Sequence, residues 1–481
     1  MVLCISFKYR DKLSKYMLDV LLINPPYTKK GGNIWKTVAS CMPPRSLAIL
    51  AACFERDGKT VKILDTHAER LAVDDMEEFL RTKYDNPRFI GLTGTTVTIH
   101  HAYAVAQLCK KLWPETKIVF GGYHASSKPA ECIQQPFIDF VVRGDGEEAF
   151  LEIVNGEDPT KIKNLTYLDK NKKVIHNPER EMPKDLDIYP IPSYHLLPLD
   201  KYFPAVGVYK RLPAISVVTS RGCPGKCTFC YQPYGTNLRW HSAERVFEEV
   251  KLLVTKYGYR EICFYDDNFA TNKARTRKIC ELFLGSGLDI VWSCFSRVDW
   301  ADAELLKLMK KAGCHQVMFG AESGDQAMLD GMRKQVTLDR IRQAVKWTKD
   351  AGLDCRAAFL FGMPGETEET MKKTIEFALE LDPDIAQFNI ATPNPGTQLY
   401  DWAEKNGYLG TQQWEDYDWA SPVLVLPTVD AELVKKYYKL AYRKFYMRPR
   451  YIVKRLGKLR SVEDFKNAAR AMRSVIDVTS H

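Results

Sequence analysis

The chain has 481 residues, 45% hydrophobic and 27% charged, with a formal net charge of +9. This is longer than one ordinary core, so two or three domains of a globular protein are expected. No apolar run reaches the ~18–20 residues needed to span a bilayer, and the first residues lack a signal-peptide layout. The expected location is therefore cytoplasmic, with Met17 as a second candidate start. The charge is local: residues 433–460 carry eleven Lys or Arg and no acid, and removing them takes +9 to −2. The charge therefore gives no argument for a nucleic-acid-coated body, and no nucleic-acid partner is expected.

Residues 17–150 alternate strand and helix. "MLDVLLINPP" is a buried-strand run stopped by Pro-Pro. "RSLAILAACFERDG" has helical period, with Gly58 suited to its C-terminal cap. The strands "KTVKILDT", "FIGLTGTTV", "KIVFGG" and "FIDFVVRG" follow, with the helix "IHHAYAVAQLCKKLW" between the second and third of them. Such alternation predicts a Rossmann-like parallel sheet, whose ligands lie beyond the carboxyl ends of the strands. Thr93, Gly121, Gly122 and His124 occupy loops at those ends. A dinucleotide is the poorer ligand, because "NPPYTKKGGN" replaces the glycine fingerprint after the first strand.

Residues 151–210 read as a hairpin followed by a Pro-rich linker. Over 211–400 a strand–loop–helix–glycine unit recurs. Its six strands are "AISVVTS", "EICFYDDNF", "DIVWSCFSR", "HQVMFGAES", "CRAAFLFG" and "IAQFNIAT". Gly258, Gly287, Gly313 and Gly352 close the preceding helices as expected left-handed caps. Six such units in series predict a partial parallel barrel with its chemistry at the carboxyl ends of the strands. Residues 401–481 are expected to form a largely helical, basic C-terminal segment.

Directly after the first barrel strand stands "TSRGCPGKCTFC". Cys223, Cys227 and Cys230 are three ligands in eight residues, with no fourth nearby. Structural zinc wants four closed ligands, so a zinc loop would have to borrow a distant one. An iron–sulfur cluster held by three thiolates keeps one iron open. The other ten cysteines are scattered, often in apolar stretches, as small core residues are.

The C-x3-C-x-aromatic-C spacing after a first barrel strand resembles the radical S-adenosylmethionine (SAM) superfamily. The resemblance implies a [4Fe–4S] cluster on Cys223, Cys227 and Cys230. Its open iron chelates SAM, and an external flavodoxin- or ferredoxin-type reductant supplies the electron that splits SAM to a deoxyadenosyl radical. Phe229 is the motif's aromatic, which the family packs near the adenine. Arg297 in "SRVD" would bind the methionine carboxylate, and Glu322 in "GAESG" resembles the acidic contact to ribose or amino group. Asp266, Ser296 and Gly362 lie in further strand-end phrases and are candidate cofactor contacts. The bland alternative for Arg297 and Glu322 is a structural ion pair at the barrel rim.

A Rossmann-like domain ahead of such a barrel resembles the cobalamin-binding class of that superfamily. The resemblance covers about residues 17–460 and implies bound cobalamin. "DTHAER" has the Asp and His of the D-x-H-x-x-G cobalt motif but lacks its glycine, so His67 is read as an ordinary loop histidine. The class implies methylation of an unactivated carbon or phosphorus centre in a small or lipid-like substrate, with one SAM supplying the methyl group and another the radical. Alternatives are oxidative cyclisation or carbon–carbon bond formation on a lipid or tetrapyrrole, and a non-enzymatic zinc-stabilised binding protein. For the basic tail three readings stay open: a helical face covering the barrel, an anionic membrane surface, or an anionic substrate.

Overall fold

The computed structural model describes residues 18–27, 40–205, 207–232, 234–457 and 473. Met17, Cys4, the loop residues 28–39, and the tail from 458 onward apart from 473 lie outside them. The chain divides into two compact units: Met1–Thr28 with Pro43–Lys184 and Ile188–Tyr202, and Lys29–Met42 with Asp185–Asp187 and Phe203–His481.

The first unit is built on β1 (Val20–Asn24), β2 (Val61–Asp65), β3 (Phe89–Thr93), β4 (Lys117–Gly121), β5 (Phe140–Val142), β6 (Leu165–Leu168) and β7 (Val174–His176). They form one sheet in the order β2-β1-β3-β4-β5-β6-β7. The first five are parallel neighbours. All of Val20–Ile23 is fully buried, which is why β1 reads as an unbroken apolar run: helices cover both faces of a parallel sheet. The hairpin expected in the linker is instead part of this sheet, with β6 pairing antiparallel to β5 and β7 to β6. The order of strand addition reverses between β1 and β3, so the strand ends there are the natural crevice.

The second unit holds β8 (Ala214–Val217), β11 (Glu261–Phe264), β12 (Val291–Ser296), β13 (Cys314–Glu322), β14 (Asp354–Phe361) and β15 (Ile385–Ile390), all parallel and in chain order. A two-stranded ribbon, β9 (Ser220–Arg221) with β10 (Arg239–Trp240), follows β8. The helices over this half-barrel start where the sequence places capping residues. Ser242, Asn272, Asp302, Thr337, Thr367 and Thr397 each accept a hydrogen bond from a backbone amide of the first helical turn. Each cap contributes about 1 kcal/mol. The four glycines expected to close helices have φ between +68° and +93°.

Between sheet and helices lies an aromatic core. Trp292 is fully buried against Phe264, Phe269 and Phe283, with ring centroids 5.5–6.2 Å away, and its indole N–H donates to the Ala312 carbonyl at 2.7 Å. The described part of the basic tail forms α1 (Ala431–Tyr446) and α2 (Pro449–Leu456). Its aromatics recur at helical spacing because they face the barrel. The Tyr442 hydroxyl donates to Phe388 O at 3.0 Å and that of Tyr446 to Ala386 O at 2.7 Å, both on β15. Arg448 pairs with Asp382 at 2.9 Å. Trp292→Ala should lower the unfolding free energy by about 3–5 kcal/mol through the cavity and the orphaned carbonyl, read from denaturant unfolding of the full chain.

Candidate active site

The cysteine loop begins where β8 ends, and its first residues are fixed by Asp266, just past β11. Asp266 is fully buried. Its Oδ1 accepts from the backbone amides of Thr219 and Ser220, the latter at 2.6 Å, and its Oδ2 from the Thr219 hydroxyl at 2.7 Å. Buried Arg275 completes the clamp, donating to Thr219 Oγ1 at 2.6 Å and to the His241 carbonyl at 2.7 Å. Asp266 therefore holds the loop with both oxygens.

The loop itself is tied at several points. The β9–β10 ribbon closes its base. Gln232 Nε2 donates to the carbonyls of Cys223 at 3.1 Å and Gly225 at 2.7 Å. The Thr228 amide donates to Met332 O, and Thr228 O accepts from the Leu399 amide. Cys223 is buried, Cys227 half-buried and Cys230 exposed. Burial pushes the Cys223 thiol above its ordinary range, so metal ligation there must release a proton. Among the described residues no three His, Cys, Asp or Glu side chains converge on a single ion. The donor set is three thiols on one loop, which suits the separate corners of a cluster rather than one tetrahedral zinc.

Buried charge surrounds the loop. Arg297, just past β12, donates from Nη1 to Cys227 Sγ at 3.4 Å, from Nε to Asp299 at 3.0 Å and from Nη2 to the Lys334 carbonyl at 2.7 Å. Gly225 is needed for this approach: a Cβ there would lie 3.0 Å from Arg297 Nη1 and 3.3 Å from Cys223 Sγ. Glu322, the last residue of β13, has φ +65°, a left-handed conformation that costs a non-glycine residue on the order of 1–3 kcal/mol. Its Oε1 lies 2.7 Å from Lys334 Nζ. A Cβ on Gly320 would come within 2.1 Å of that oxygen. Arg297 and Glu322 thus do not pair with each other; each has its own partner. Lys334 and Gln232 are absent from the sequence reading. No metal- or cofactor-type spacing marks them, and only the fold brings them to the loop.

Ser296 is buried, its hydroxyl donating to Asn268 Oδ1 at 3.3 Å. Phe229 is half-buried on the loop. Gly362 follows β14 with φ +82°, and its amide and that of Met363 donate to Glu366 Oε2. Glu366 is fully buried; burial raises its carboxyl to about 7, opposed by those two amides.

In the first unit, Thr93, Gly121 and Gly122 meet at adjacent strand ends. Gly122 has φ +96°, and a Cβ there would sit 2.5 Å from Thr93 Oγ1. The missing side chain lets the end of β4 pack directly on Thr93 and the Gly94 backbone. His124 is placed otherwise than expected. It is fully buried, with Nδ1 3.2 Å from Thr96 Oγ1 and Nε2 3.2 Å from Glu131 Oε1. Both ring nitrogens have partners within the fold. Asp65 caps the helix that holds His67 and accepts from Asn24 at 2.8 Å and the Tyr202 hydroxyl at 2.9 Å.

Family models match in the same order. The B12 binding domain matches residues 34–154 and the Radical SAM superfamily residues 217–378. An uncharacterized methyltransferase of Pyrococcus horikoshii, PH0819, is 40% identical over 91% of this chain and 94% of its own. The chain belongs to the radical SAM superfamily, in the class that carries a B12 binding domain ahead of the barrel, and is a radical SAM enzyme. A cytidylyl-2-hydroxyethylphosphonate methyltransferase of Streptomyces wedmorensis is 29% identical over 82% of this chain and 83% of its own. An anaerobic magnesium-protoporphyrin IX monomethyl ester cyclase of Rubrivivax gelatinosus is 27% identical over 90% and 78%. The fold matches that of the radical SAM methyltransferase TsrM of Kitasatospora setae, solved with cobalamin and a [4Fe–4S] cluster. The TM-score is 0.72 at 17% identity, covering 95% of this chain and 98% of that one.

The Glu366 carboxyl gives a pH test. Its folded pKa, about 7, lies above the unfolded 4.5. The group's contribution to stability is therefore complete below about pH 4.5 and is lost as pH rises through 7, by roughly 3 kcal/mol. Glu366→Gln keeps an acceptor for the two amides. Thermal unfolding should show it more stable than wild type at pH 8, with the gap closing toward pH 4.5.

Proposed function

We propose that this enzyme methylates an unactivated carbon or phosphorus centre of a small or lipid-like substrate, with a [4Fe–4S] cluster, SAM and cobalamin as its cofactors. The observation that carries the reading is the three-thiol loop held beside Arg297 and Lys334. When bound, the cluster supplies the electron that cleaves SAM, and cobalamin serves as methyl carrier. Cys223, Cys227 and Cys230 would hold the cluster. Arg297 donates to Cys227 Sγ and would favour the reduced, more negative state of a cluster held there. The Glu322–Lys334 pair offers one charge of each sign to the zwitterionic methionine part. Gly362, with its positive φ, lets a ligand approach the backbone past β14. Thr93, Gly121 and Gly122 would line the cobalamin tail. A flavodoxin- or ferredoxin-type protein would bring the electron.

The methylating relatives at 40% and 29% identity favour this reading over cyclisation. Among the described residues no helix is long and apolar enough to cross a membrane. A peripheral contact through the cations of α1 and α2 belongs to the same proposal. Two experiments test it. In anaerobic reconstitutions, Cys227→Ala should lose iron, sulfide and all deoxyadenosine formation, whereas Cys314→Ala, a buried β13 cysteine, should cost only packing stability. With SAM labelled in its methyl group, product should carry the label. Label recovered only in methionine, with product formed, would overturn methylation in favour of a cyclase.

A further inference from the structure

Strands of the half-barrel point alternate residues inward, and one inward residue is out of place. Cys263, Ser293, Phe295, Gln316, Met318 and Arg356 line a small open-sided pocket. Arg356 is the third residue of β14. Its guanidinium makes one hydrogen bond, from Nη2 to Gln387 Oε1. That acceptor is a neutral amide, whose own Nε2 donates to Asn389 at 3.1 Å. Arg356 Nε is buried and has no partner. Among the described residues no carboxylate bonds it; the titratable groups around it are Tyr265, Tyr446, Tyr442 and Cys263, whose raised pKa values leave them neutral, and burial weakens its hold on its proton. The Tyr442 and Tyr446 hydroxyls donate to β15 carbonyls, and among the described residues neither bonds the guanidinium. Arg356 is half-buried, whereas the buried cations of this unit described above each have a carboxylate or several carbonyls.

An uncompensated guanidinium in a barrel interior is costly, and a well-packed apolar residue would be more stable there. Its planar fork matches an oxygen anion in two-point contact. We infer that Arg356 is an anion-binding subsite inside the half-barrel, taking the carboxylate or phosphate-type group of the substrate. Gln316 and Ser293 flank it as neutral polar groups, and Phe295 and Met318 offer apolar wall. This rests on the reading of the second unit as the half that acts on substrate. Arg356 stands opposite Met318 in the β13–β14 register, and Glu322 is four residues further along β13, roughly 13 Å at strand rise. A substrate anchored at Arg356 must then be elongated for its far end to reach the level of Glu322.

The test uses the reconstituted full chain. Thermal unfolding is followed while sodium acetate or sodium methylphosphonate replaces sodium chloride at constant ionic strength, with acetamide as neutral control. Wild type should show a saturable rise in Tm with at least one anion, and the anion that produces it identifies the group. In Arg356→Met the response should vanish, a loss of roughly tenfold or more in affinity, while its Tm without anion equals or exceeds that of wild type. Arg356→Gln is read alongside in case the Met variant fails to fold. A wild type that ignores both anions, or responds identically to the variants, means water alone meets Nε and overturns the subsite. The titration needs no SAM turnover. An absent anion response with intact deoxyadenosine formation sinks the subsite alone, and absent deoxyadenosine formation sinks the proposed reaction alone.

Discussion

The site depends on the Asp266 carboxylate. A loop carrying three thiols between two short strands has little regular structure to hold it, and its first peptide groups would otherwise be buried without partners. Asp266 meets the amides of Thr219 and Ser220 at once, and Arg275 binds the other side of Thr219. Hydrogen bonds to a buried charge are worth more than neutral ones, and losing the acceptor would orphan two amides together. β11 thereby fixes where the loop leaves β8, and the Gln232 amide fixes the loop's own curvature.

Around that fixed loop the enzyme keeps full charges in a poorly hydrated place. Arg297 and Lys334 are both buried; Arg297 is held by Asp299 and the Lys334 carbonyl, and the Lys334 ammonium by Glu322. The arrangement is expensive unless its hydrogen bonds are satisfied, and the local rules bent to make it so are visible. Gly225 and Gly320 give up side chains, and Glu322 accepts a left-handed backbone. Such concentrated violations of local preference mark functional sites.

Much of this was legible in the sequence because it is periodic or closely spaced. The alternation of strands and helices, the capping residues at helix starts and the cysteine spacing are all local signals, and the residues 214–217 to 385–390 form the six strands expected of them. What was illegible is tertiary. Asp266 and His124 sit in phrases of the right kind at the right strand ends, yet their bonds are spent inside the protein. Lys334 lies twelve residues past Glu322 on a turn with no motif, and only the return of the chain brings its ammonium to that carboxylate. The hairpin at 165–176 showed its own turn but not its partner, because a sheet's free edge leaves no trace in the hairpin's residues.

The strand that launches the cysteine loop is the margin of its sheet: among the described strands, β8 pairs with β11 only. The remaining strand ends, from β12 to β15, are interior or opposite to that margin. Yet the cysteine segment leans across the whole sheet, because Arg297 past β12 reaches Cys227, and Met332 past β13 and Leu399 past β15 bond Thr228. Remodelling any of those three loops for a new substrate therefore also shifts the thiols, so substrate range and radical chemistry are mechanically linked in this scaffold.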